Sequence, residues 1–202
     1  MNNGEAVSII TDFLDHRRIQ ELRSCPYLLQ ELQTAVVYHL RSVDINQYKL
    51  WVFDDSFYLG EVRNGKRNGY GFYYWYSEDG SRSNGTLYMG GWRDGEKDGD
   101  DCFHFSSQGM CYYGSYKMGK QHCDHAHLIH RNGTEFEGEF VNGKLTRVIT
   151  ANSSFTYTSS DGAVTSYDKN TSRLGSGAGD RKGCLGIAIL AVVLFFLFRM
   201  CS

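Results

Sequence analysis

Three hydrophobic rhythms follow one another along the chain. Ile9, Ile10, Phe13 and Leu14 recur at the three-to-four spacing of a helix, and Leu28, Leu29, Leu32, Val36, Val37 and Leu40 do so again. Cys25-Pro26 interrupts them, and a proline sits best in the first turn of a new helix. The pattern therefore predicts two helices, roughly 5–23 and 26–42. From Tyr48 to Phe57 the period drops to two, with Leu50 and Val52 on one side and Trp51 and Phe53 on the other, which predicts a strand. Short aromatic-rich runs separated by glycine turns continue to about residue 149. After that the periodicity stops, until an unbroken apolar run from Gly183 to Phe198.

The middle of the chain is a repeat built on Tyr58–Tyr76, YLGEVRNGKRNGYGFYYWY. Equivalent glycines fall at Gly60, Gly90, Gly114 and Gly138, and turn glycines at Gly65, Gly95, Gly119 and Gly143. Both series are spaced by 30, 24 and 24 residues, and a Ser77–Asn84 insert accounts for the longer first interval. Asn64-Gly65, Asp94-Gly95 and Asn142-Gly143 suit two-residue hairpin turns, which need positive φ. Second turns are expected at Asp79-Gly80, Gln108-Gly109 and Asn132-Gly133. Hairpins joined by turns at a fixed period stack into one antiparallel sheet.

The YxGxVxNGKxNGxGF run of the first copy resembles the MORN repeat (membrane occupation and recognition nexus), and the likeness extends over about 58–149. It weakens along the chain. Asp101 replaces a glycine in the second copy, Cys123 and His125 replace the pair in the third, and Arg147 and Ile149 in the fourth. The resemblance implies a sheet of hairpins used as a scaffold, a dimerisation module or a lipid-contacting surface. The predicted fold is mainly β: an elongated single-layer antiparallel sheet of stacked MORN-type hairpins, with an N-terminal α-helical cap and a C-terminal transmembrane helix. Four regions follow: a helical cap at 1–47, the array at 48–150, a flexible Ser/Thr/Gly-rich linker at 151–182, and the membrane helix at 183–199. A cap is expected because the first strand otherwise leaves an open edge. The second predicted helix, PYLLQELQTAVVYHL, faintly resembles an F-box or a linker helix of cyclic-nucleotide-gated channels.

Gly183–Phe198 holds 16 uncharged residues between Arg181-Lys182 and Arg199. As a helix it spans about 24 Å, short of a hydrocarbon core of roughly 30 Å, which the flanking cations bridge by snorkelling. Met1–Arg18 does not read as a signal peptide, because acidic residues flank and interrupt its apolar stretch. The expected layout is a single-pass tail anchor with residues 1–182 in the cytosol, in the endoplasmic reticulum or another endomembrane rather than the outer mitochondrial membrane. Array plus anchor resembles a miniature junctophilin, a family that bridges endoplasmic or sarcoplasmic reticulum to plasma membrane. A GPI signal is the rival for the tail, and Cys184 and Cys201 are candidate palmitoylation sites.

Charge narrows the partners. The whole chain carries 21 basic and 23 acidic side chains, and residues 51–149 carry 11 against 14. A net −3 on the array argues against nucleic acid and disfavours anionic lipid. The six cysteines show no CxxC spacing and read as free thiols. Sequons at Asn84, Asn132, Asn152 and Asn170 are expected to stay unmodified on the cytosolic side.

Candidate chemistry is sparse. GxGxxG-like patterns sit in hairpins rather than between strand and helix, so no enzyme or cofactor is expected. Tyr58, Tyr88, Tyr112 and Phe136, with Trp92, Tyr116 and Phe140, would form ladders along the sheet. The simplest reading is that they hold the array together; the functional reading is an exposed aromatic groove for a partner helix or peptide. In His122–His130, Cys123, His125 and His127 alternate and would share a face of a strand, with Asp101 beside His125 and Phe103 beside His127 by repeat alignment. That is a zinc-ligand chemistry with a bite wider than a tetrahedral site prefers. The leading expectation is a non-enzymatic membrane scaffold or tether that binds a protein on its cytosolic side, with phospholipid as the second ligand class. The alternatives are an F-box-like adaptor recruiting through the N-terminal helices, and a zinc- or pH-responsive module.

Overall fold

The structure, a computed structural model, describes residues 1–15, 48–76, 85–105, 110–130, 132–159 and 162–176. The predicted helix at 26–42, the Ser77–Asn84 insert, the apolar segment 183–199 and both candidate palmitoylation cysteines lie outside these residues. Among the described residues the chain is mainly β, with one helix and many antiparallel strands.

Helix α1 spans Asn3–Asp15. Its start is a reciprocal cap: Asn2 Oδ1 accepts from the Glu5 N–H at 2.9 Å, and Glu5 Oε2 accepts from the Asn2 N–H at 2.9 Å. Ala6 and Ile10 point inward and are fully buried.

The main sheet is an antiparallel meander. Its strands are β1 (Lys49–Val52), β2 (Ser56–Arg63), β3 (Lys66–Trp75), β4 (Thr86–Arg93), β5 (Glu96–Lys97), β6 (Gly99–Phe105), β7 (Met110–Lys117), β8 (Lys120–Gln121), β9 (Cys123–His130), β10 (Glu135–Val141) and β11 (Lys144–Ala151). Each long strand pairs with the next in sequence, and the two-residue β5 and β8 complete the hairpins of β4 and β7. The single strand predicted over Tyr48–Phe57 is two. Phe53–Asp55 turns the chain, the Phe53 N–H bonding the Ser56 carbonyl at 2.9 Å, because Asp and Ser favour a turn over an extended run.

All four hairpin turns take positive φ at both central residues: Asn64 and Gly65, Asp94 and Gly95, Met118 and Gly119, Asn142 and Gly143. Met118 does so as an unbranched side chain, 70% exposed. The last three turns also hang on the unit before. Gly95 N–H bonds the Arg67 carbonyl, Gly119 N–H the Lys97 carbonyl and Gly143 N–H the Gln121 carbonyl, at 2.8–2.9 Å.

Alternation along the strands sends apolar side chains to both faces of the sheet. One cluster gathers Phe57, Leu59, Phe72, Tyr74, Leu87 and Met89 with Ala6 and Ile10 of α1. The other gathers Tyr58, Tyr88, Tyr112 and Phe136 with Trp92, Tyr116 and Phe140.

The linker expected over 151–182 is overturned in its first part. β12 (Phe155–Thr158), β13 (Val164–Asp168) and β14 (Arg173–Ser176) form a separate three-stranded antiparallel sheet. Its Ser and Thr disguise a period-two pattern carried by Phe155, Tyr157, Thr165 and Tyr167, and Thr and Tyr are good strand formers. Positive φ at Gly162 and Ser172 closes its turns.

Candidate functional site

The aromatic face is a continuous herringbone. Trp92 stands edge-on between Tyr58 (5.6 Å between centroids) and Tyr88 (5.1 Å). Tyr116 stands likewise between Tyr88 (5.4 Å) and Tyr112 (5.3 Å). Phe140 then stands between Tyr112 (5.6 Å) and Tyr157 (5.4 Å), the latter contributed by the small sheet. Edge-to-face geometry sets the positive rim of one ring against the negative face of the next.

One device positions the first ring of each unit. Tyr58, Tyr88 and Tyr112 each donate a hydroxyl bond to the carbonyl three residues on, at Glu61 (2.7 Å), Gly91 (2.9 Å) and Ser115 (2.9 Å). Two of these carbonyls also accept a backbone N–H from the returning strand, from Asp98 and His122, so the tyrosine fills the second lone pair. The fourth unit has Phe136, and there Thr146 Oγ1 donates to the equivalent Glu139 carbonyl at 3.1 Å. To reach this carbonyl the tyrosine ring lies flat over the glycines. A Cβ on Gly60 or Gly71 would come within 2.5 Å of Tyr58 atoms. Burial raises the hydroxyl pKa of all three tyrosines.

The seven predicted partner-binding aromatics are thus assembled on one face, but as a wall rather than an open groove. None is more than 6% exposed. Their edges are spent on one another, because each ring fills the gap between two from neighbouring units. The half-buried side chains around them include Trp51, Trp75, Arg67 and Lys97.

Arg67 and Lys97 were not apparent from the aromatic motif. Each stands two residues after a turn glycine, the position held by Gln121 and Leu145 in the third and fourth units. The Arg67 guanidinium carbon lies 4.4 Å from the Trp92 ring centre and 4.9 Å from that of Tyr73. Its Nη2 donates to the Gly95 carbonyl at 2.9 Å. Lys97 Nζ lies 4.6 Å from the ring centre of Tyr88, 5.1 Å from Trp75 and 5.3 Å from Tyr116. Burial pushes Lys97 down to about 8. His104, 3.0 Å from the Tyr116 hydroxyl through Nδ1, is held below its usual value by burial and then by Lys97. Cys102 is buried, its thiol pushed up by burial. The signal for the cation series was present in the 30, 24, 24 spacing of the turn glycines, one step beyond the landmarks themselves.

The predicted histidine cluster does not converge. In β9, Ala126 pairs with Gly138 while Cys123 pairs with Phe140, so Asp124 and His125 together oppose Glu139 alone and the period of two is broken. Cys123 joins the aromatic face, His125 is exposed, and His127 Nε2 lies 2.8 Å from Glu135 Oε1. Ala126, not His125, stands against Gly114, its Cβ 3.0 Å from where a Cβ on that glycine would lie, as Gly71 stands against Gly60 in the first unit. Asp101 is not beside His125: β7 lies between their strands, and Asp101 Oδ1 accepts from the Tyr113 hydroxyl at 3.0 Å. Phe103 is likewise separated from His127 by Tyr113, which pairs with both. Among the described residues, no three His, Cys, Asp or Glu side chains are grouped to hold a metal ion.

No protein-family model matches the chain, and no curated protein matches it either.

Proposed function

We propose that this protein is a non-enzymatic scaffold: a MORN-type array of stacked hairpins, capped by N-terminal helix and held to an endomembrane by residues 183–199. The array binds a protein partner on the cytosolic side. The observation that carries this reading is the aromatic face, a rigid wall whose half-buried margin offers two tryptophans and two cations. Rigid aromatic surfaces with Arg are what protein interfaces favour energetically. The net −3 of residues 51–149 supports a protein over an anionic bilayer. The apolar run from Gly183 to Phe198 supports the anchor.

Two measurements test this. The full chain should stay with membranes through alkaline carbonate extraction, and a chain ending at Lys182 should be released. Residues 1–182 should fail to float with vesicles containing phosphatidylserine. Tight flotation would replace the protein partner by lipid, and release of the full chain would remove the anchor.

A further inference from the structure

The chain already occupies one end of its own aromatic face. Phe155 stacks on Phe136 with centroids 4.0 Å apart and planes 12° apart. Tyr157 stands edge-on to Phe140, and its hydroxyl donates to Gln121 Oε1 at 2.7 Å. The small sheet thus binds the third and fourth units by a simple rule. An aromatic ring extends the herringbone, and its polar head meets the side chain two residues past a turn glycine.

The first and second units offer the same position with a different charge. Gln121 and Leu145 become Lys97 and Arg67, aimed at the same face. Two arginines of the array are ion-paired instead: Arg93 bonds Asp98 at 3.0 Å and Arg147 bonds Glu139 at 3.1 Å. Among the described residues, neither Arg67 nor Lys97 has a carboxylate within ion-pair distance. The charged or titratable groups that act on Lys97 are Arg67 from β3 and Cys102 from β6, and the rings of Tyr88 and Tyr116 face it from β4 and β7. His104 on β6 feels it too. No carboxylate is among them. A half-buried cation without a counter-ion favours an anion that brings its own apolar cover. The Arg67 fork and the Lys97 point charge both suit a carboxylate.

We propose that the aromatic face between Arg67 and Lys97 is the docking site for an acidic, aromatic-containing peptide segment of the partner. Its rings lie against Trp51 and Trp75, and its carboxylates pair with Arg67 and Lys97, as Tyr157 pairs with Gln121. This rests on the scaffold reading and deepens it. A peptide suits the site better than a bilayer, because the two cations are a local exception on a net-acidic array that would keep an anionic plane away.

The test uses the full chain in detergent micelles and a short fluorescein-labelled peptide alternating Glu and Tyr, read by anisotropy. A peptide with Gln at every Glu should bind at least about tenfold more weakly. Lys97→Gln and Arg67→Gln should each lower affinity by about tenfold, whereas Lys120→Gln, on the exposed end of β8, should not. A bound carboxylate favours protonated Lys97, so affinity should fall as pH rises through about 8, and this fall should vanish in Lys97→Gln. Near-ultraviolet circular dichroism checks that the ring ladder survives each substitution, and the Glu-against-Gln comparison needs no variant. Equal binding of the two peptides, or none, overturns the site, as does capture of phosphatidylserine vesicles without the peptide. Either failure leaves the membrane anchor standing, since that reading falls only on carbonate extraction.

Discussion

The Tyr112 hydroxyl donates to the carbonyl of Ser115 at 2.9 Å, three residues ahead on the same strand. That bond is repeated by Tyr58 and Tyr88 and fixes where these three rings stand, while in the fourth unit Thr146 takes over the equivalent carbonyl. Tyr112→Phe removes it without opening a cavity, and the Ser115 carbonyl keeps its His122 N–H. The expected loss is therefore modest, about 1 kcal/mol. Thr146→Val in the fourth unit should lose about 0.5 kcal/mol, since Thr146 is exposed. Urea unfolding followed by tyrosine and tryptophan fluorescence measures both, and a Tyr112→Phe chain as stable as the parent would deny the bond its role.

Glycine is required at two places for two different reasons, and substitution should separate them. At Gly71 a Cβ would meet Tyr58 Cε2 at 2.5 Å. The ring cannot move without breaking its bond to Glu61, so Gly71→Ala should cost about 3 kcal/mol through overpacking. At Gly65 the space is open but φ is +68°. Gly65→Ala should cost only about 1 kcal/mol of backbone strain. Thermal melts of the two variants should fall in that order, and the reverse order would refute the ring-over-glycine account.

Lys97 gives the protein a defined alkaline signature. Burial lowers its folded value to about 8 from an ordinary 10.5. The unfolded chain therefore binds more protons between these values, and stability should rise with pH across that window. Below about 8 the buried charge is a standing penalty. Lys97→Met should then be more stable than the parent at neutral pH, with the difference shrinking as pH climbs past about 8. Chemical denaturation of both chains at a series of pH values reads this directly. A difference that grows with pH would mean Lys97 has an anionic partner after all.

Much of the array could be read from the chain itself. Gly60, Gly90, Gly114 and Gly138 marked the repeat, and Asn64-Gly65 with its descendants marked the turns, because positive φ restricts the residues that can occupy it. The seven ladder aromatics were also found, and they do share one face. Their exposure was not legible. A ring at a fixed register is buried or open according to what fills the next unit, and Trp92 and Tyr116 fill those gaps. The histidine cluster failed for a related reason. Alternation in β9 holds only until a bulge, and a single extra residue opposite Gly138 and Phe140 moved the face.

The sequence by itself determined the period, the turns and the β class, because these depend on local φ, ψ preference and on alternation within one strand. Only the tertiary structure decided that residues 155–176 fold into a sheet and return to the aromatic face. Only it placed Arg67 and Lys97, without carboxylates, over the rings of a neighbouring unit. Contacts between units are set by register and bulges summed along the sheet, and no single strand contains that information.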